Sequence, residues 1–177
     1  SFGEYSKWQI QGIMNMIENG DALLSIGGAN PDLLGGLDPE VVGRMQRTHL
    51  ENWSPISEKV TTNAINWCVV AAAGDAWAKK IFPDLSTEKA QEKLWQAIFE
   101  TTRIDQPDPI TAWQKHIAAL RERALYLQAK QYTALHYKGS GTDFTLGLPS
   151  GHLWISAQSM AQNGVAFTAN MPTEEVF

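Results

Sequence analysis

The spacing of apolar residues changes once along this chain, and that change constrains the fold more than any single motif. Up to Gln131 they recur three or four apart in helical stretches, interrupted by two short aliphatic runs. From Thr133 they recur every second residue. Ile10, Ile13, Met14 and Ile17 predict a first helix stopped by Gly20, and Ala22 to Ile26 a short buried strand closed by Gly27-Gly28. Asp38-Pro39-Glu40 offers an N-cap, a proline at the first helical position and an acid in the first turn, predicting a helix to about Asn52. Asn66 to Ala72 is the second aliphatic strand, followed by a short helix from Asp75 to Ile81 that Phe82-Pro83 stops. Ser86-Thr87-Glu88 opens the next helix, with Ala90, Leu94, Ala97, Ile98 and Thr101 on its inner face. Asp108-Pro109 caps a long helix to about Gln131 along Ile110, Trp113, Ile117, Leu120, Ala124 and Leu127. Beyond it, Ala134 to Lys138, Asp143 to Leu148 and His152 to Ile155 read as three short strands joined by glycine turns.

Composition narrows the function. Hydrophobic residues at 44% and charged residues at 19% argue for a packed core rather than disorder. A net charge of -5 leaves no basic footprint, which excludes nucleic acid as the expected partner. No apolar stretch approaches the roughly 18 residues a membrane helix needs, so no membrane is expected. The start, Ser1-Phe2-Gly3-Glu4-Tyr5, has no signal-peptide character. The lone Cys68 suits a reducing compartment. In the run Trp67 to Ala71 it reads as a buried, inert thiol.

Candidate chemistry is sparse over most of the chain. Gly27-Gly28 lacks the Gly-Lys-Ser ending or full glycine pattern of a phosphate loop and reads as an ordinary turn. His49, His116, His136 and His152 form no compact metal spacing. His116, beside an apolar stripe, reads as structural, and cross-strand bonding accounts for His136 and His152. Asp143 after Thr142 either caps its turn or serves a substrate. Pro172-Thr173-Glu174-Glu175 differs: two adjacent carboxylates stand before an apolar pair. Hard divalent ions take carboxylate oxygens, and adjacent acids can divide metal binding from support or proton transfer. On chemistry alone the pair also reads as a solvated helix start.

These residues, with Trp77-Ala78, Phe82-Pro83, Leu94 to Phe99, Arg103-Ile104-Asp105 and Asp108 to Trp113, follow a familiar order. So do Leu135 to Gly139, Gly141-Thr142-Asp143, Gly151 to Trp154 and Asn170 to Phe177. The sequence resembles the thermophilic aminopeptidase family, dinuclear metallopeptidases of the aminopeptidase S and aminopeptidase T type. The resemblance implies a cytoplasmic, homodimeric exopeptidase that removes N-terminal residues from peptides with broad preference, using two divalent ions (zinc, cobalt or magnesium). Glu175 matches the family's first metal-ligand glutamate. Glu174 is left as a supporting or proton-transfer group. Ser140 stands where the family usually has proline, which loosens that turn.

The larger departure is length, since the family's remaining ligands and catalytic tyrosine lie in a later domain and further α/β units precede Trp8. The expected fold class is thus α/β, a partly parallel sheet flanked by helices and followed by a short β-hairpin-rich segment. Residues 1–131 form the α/β portion and 132–177 lead toward a catalytic domain. Alone, this piece is expected to be inactive and to bind no ion. The competing class is a non-catalytic α/β domain used for binding or assembly.

Overall fold

A computed structural model describes residues 5–174. Helix α1 (Lys7–Glu18) presents Ile10, Ile13, Met14 and Ile17 to one side, and Gly20 ends it at a positive φ of 83°. Strand β1 (Leu23–Gly27) follows, then helix α2 (Pro39–Thr61), capped by the Asp38 carboxylate accepting the Glu40 N–H at 2.8 Å. The helix expected to end near Asn52 runs nine residues further, through Pro55. A proline inside a helix removes one backbone bond and costs about 3 kcal/mol. Here Ile56, with no exposed surface, packs with Ile17 and Ile65 while Trp53 and Val60 flank them. That burial carries the helix past its breaker.

Strand β2 (Trp67–Ala71) lies parallel to β1, with Leu23 opposite Trp67 and Gly27 opposite Ala71. The strand ends nearly touch: a Cβ on Gly28 would sit 2.5 Å from the Ala72 carbonyl oxygen. The glycine pair thus serves close backbone approach. Helices α3 (Asp75–Ile81) and α4 (Thr87–Thr101) close a second core in which Ala73, Ala78, Ala90, Leu94 and Ile98 are buried. Helix α5 (Pro109–Lys130) starts at Asp108, whose carboxylate accepts the Thr111 N–H at 3.0 Å, and ends at Gln131 in the left-handed region.

Strands β3 (Ala134–Gly139) and β4 (Thr142–Gly147) form the expected antiparallel hairpin. His152 to Ile155 is no strand. Its backbone is held by one helical side chain, Gln128, which accepts the Trp154 N–H at 2.9 Å and donates to the His152 carbonyl at 3.4 Å. Three strands appear instead further on: β5 (Gln158–Met160) pairs antiparallel with β6 (Ala166–Thr168), and β7 (Asn170–Met171) joins β2 in parallel. The main sheet therefore runs β1-β2-β7, all parallel, with helices packed against it. The fold is mixed α/β, as the spacing implied. None of the helices among the described residues is long and apolar enough to cross a membrane.

Candidate metal site at the carboxyl end of the sheet

Ligands of open α/β sheets gather beyond the carboxyl ends of the strands. At that end β1 and β2 stop at glycine and alanine, while β7 passes straight into Pro172, Thr173 and Glu174. An open hollow of about 460 Å³ lies there, lined by Gly27, Gly28, Val70, Ala71, Trp77, Met171 and Pro172. The Met171–Pro172 peptide bond is cis. Thr173 is buried, at 5% exposure. Glu175, the sequence-derived ligand, lies outside the described residues.

The two residues before it are tied to the corner between α4 and α5. His116 Nε2 lies 2.5 Å from the Thr173 carbonyl oxygen. A carbonyl only accepts, so that nitrogen carries the proton and donates. The same nitrogen is 3.7 Å from Glu174 Oε1, and Arg103 Nη2 is 2.8 Å from that oxygen. Arg103 stands just past α4 at a φ of 60°, with its guanidinium 5.8 Å from the centre of the Trp113 ring. Trp113 donates from Nε1 to the Thr102 carbonyl at 2.6 Å and meets His116 edge-on at 5.7 Å. Sequence reading placed His116 as structural and gave Arg103 no role. A cation in the break between two helices carries no mark of a partner 71 positions on (174 − 103).

The other candidates stay apart from this corner. His136 bonds Thr145 across the hairpin at 2.9 Å, and its other ring nitrogen is 3.3 Å from Asp143. The Asp143 carboxylate faces that histidine and Lys138. His152 pairs with the Pro149 carbonyl inside its own turn rather than across strands, because its segment is not in a sheet. His49 joins Tyr5 and Trp53 near the first helix. Cys68, expected to be buried, is only half-buried, and that burial pushes its thiol above the usual range. A larger hollow of about 780 Å³ lies between α5 and the 153–160 segment. Its described lining is mostly apolar and amide, with Arg121 as the charged group.

Among the described residues no three histidine, cysteine, aspartate or glutamate side chains cluster to hold a metal ion. Among the described residues the segment fits a hard divalent ion in kind, offering the Glu174 carboxylate at the open end of a sheet, but not in number. The family model for thermophilic metalloproteases (M29) matches residues 1–177. The chain belongs to that family. It is 43% identical to aminopeptidase T of Thermus thermophilus over 96% of its own length and 42% of that protein's. It is 39% identical to aminopeptidase AmpS of Bacillus subtilis over its whole length and 43% of that relative's. The solved structure of wild-type AmpT from Thermus thermophilus superposes with a TM-score of 0.90 at 38% identity, covering 99% of this chain and 43% of that one. The chain thus spans well under half the length of the relatives it matches.

Proposed function

We propose that this chain is part of a metal-dependent aminopeptidase that hydrolyses N-terminal residues from peptides with broad preference and uses two divalent ions, zinc, cobalt or magnesium. Glu175 is the residue proposed to bind one of them. One observation carries the reading: in a member of a metalloprotease family, β7 leads a fixed Thr173 and Glu174 to the carboxyl end of a parallel sheet, one residue before Glu175. Divalent ions there supply Lewis-acid polarisation and an activated water. The chain's own part is to hold the acidic segment in place. The other ligands are proposed to come from a later catalytic domain, with residues 1–131 as α/β support and 132–177 as the approach to it. The intact enzyme is proposed to be a cytoplasmic homodimer acting on peptides with a free α-amine.

Full-length protein given short peptides should release N-terminal amino acids, lose that activity on chelation and regain it with Co²⁺ or Zn²⁺. Glu175→Gln should lower kcat by more than about a hundredfold, as a lost metal ligand does. Chelator-resistant turnover sinks the reading, and full activity in Glu175→Gln removes that residue from it. The 177-residue chain alone should be inactive, because a catalytic ion needs several converging ligands. Turnover of an amino-acid nitroanilide by that purified chain would overturn this.

A further inference from the structure

Two adjacent acids, Glu174 and Glu175, leave open which one meets a metal and what the other does. We infer that Arg103 and His116 are positioning residues that commit Glu174 to the α4–α5 corner, making it the anchor of the acidic segment and leaving Glu175 as the acid presented to metal. The inference rests on the proposed reading of Glu175 as a ligand and assigns its neighbours a role.

The Arg103 guanidinium is permanently charged and lies 2.8 Å from Glu174 Oε1. A divalent ion at coordination distance from the same oxygen would stand within a few ångströms of that positive charge, and the two would repel. The Glu174 carboxylate is therefore a poor metal donor and a good tether. The hold is also double. His116, its side chain 11% exposed, donates to the Thr173 carbonyl, so backbone and side chain of consecutive residues are gripped from α5 and from the end of α4.

The gripping groups are themselves fixed. Arg103 Nη1 donates to the Thr101 carbonyl at 3.2 Å, and its guanidinium lies near the Trp113 ring. Trp113 is held by the Thr102 carbonyl, and the Thr102 hydroxyl in turn donates to the Ile98 carbonyl at 2.6 Å. Side chains with few remaining rotamers transmit position rather than merely touch.

The test is amide hydrogen exchange at Thr173 and Glu174 in the 177-residue chain, with Ile13 and Ile17 of α1 as internal references. Arg103→Met should speed exchange at 173 and 174 by up to about fivefold, the upper range for a partly exposed ion pair, and leave α1 unchanged. Arg103→Lys, which keeps the charge, should restore most of the protection. Glu174→Gln should also speed exchange there, and the double variant should fall short of the sum of the two, since both remove the Arg103–Glu174 interaction. Unchanged exchange in a folded Arg103→Met chain, or strictly additive effects, would overturn the clamp. Should Arg103→Met fail to fold, Glu174→Gln alone decides. It changes an exposed side chain, and unchanged exchange there also overturns the clamp.

Cobalt titration of the full-length protein separates this inference from the reading beneath it. Glu175→Gln should remove one binding event, while Glu174→Gln should weaken binding only severalfold. If Glu175→Gln binds cobalt normally, the ligand reading falls and the exchange result still stands for the clamp. If Glu174→Gln loses the ion as fully as Glu175→Gln, the division of labour between the acids is wrong.

Discussion

The β3–β4 hairpin and the corner between α4 and α5 are both built on aromatic rings, and they use them differently. In the hairpin Tyr137 stacks on its cross-strand neighbour Phe144 at 4.8 Å, with the two residues 44% and 51% exposed. Stacked on each other, both stay about half exposed. In the corner the Trp113 indole spends its N–H on the Thr102 carbonyl, its face on Arg103 and its edge on His116. Through those two neighbours it reaches a segment near the other end of the chain. Stacking area alone stabilises a local element. A ring with a polar handle can fix where distant residues lie.

Mutations can break this contrast in order of size. Leu120→Ala, at 1% exposure on the helix that carries Trp113 and His116, should cost about 2–5 kcal/mol, read as a lower urea midpoint with unchanged slope. Trp113→Phe keeps a ring but leaves the carbonyl of buried Thr102 without its donor, and should cost about 1–3 kcal/mol in the same assay. Phe144→Ala should cost no more than about 1 kcal/mol and show as faster exchange confined to β3 and β4. A loss there as large as that in Trp113→Phe would erase the distinction between the two regions.

The smallest effect is tied to pH. Hydrogen bonds from the Thr111 side chain and backbone hold the Asp108 carboxyl below its ordinary value. A lowered folded value means the cap's contribution is complete above the unfolded aspartate range and fades as pH falls through the folded one. Thermal melts of wild type and Asp108→Asn should therefore differ in their acid limb and run parallel near neutrality. A constant gap at all pH values would assign the cap's effect to shape rather than charge.

The same contrast explains what the sequence made legible. Helices announce themselves because burial repeats along several turns, as with Ile10, Ile13, Met14 and Ile17. The two short strands β1 and β2 announce themselves by an unbroken aliphatic run instead, although β1, expected to be buried, leaves Leu24 and Ile26 exposed at 59% and 66%. Strands β5, β6 and β7 are two or three residues long, too short for an alternation to register. The stretch from His152 to Ile155 does alternate, with Leu153 at 75% and Ile155 at 50% exposure, and so it imitates a strand. What it lacks is a neighbouring backbone, a fact held by Gln128 on another element. At the site, the acidic pair is visible in sequence and its tethers are not. Arg103 and His116 acquire meaning only when α4 and α5 bring them against residues far along the chain.

Strand order carries a last consequence, for the sequence of events in folding. Val69 of β2 is paired with Asn170, and everything from α3 through the β5–β6 hairpin lies between them. A contact across so long a loop closes late, after the local helices and hairpins have paid their own entropy. Until it closes, one side of β2 is an unpaired edge of the kind that recruits stray strands. The acidic segment is therefore among the last parts to be seated, and seating it also seals the edge. A chain slow to complete this step should aggregate through β2 before it could ever present a carboxylate to a metal.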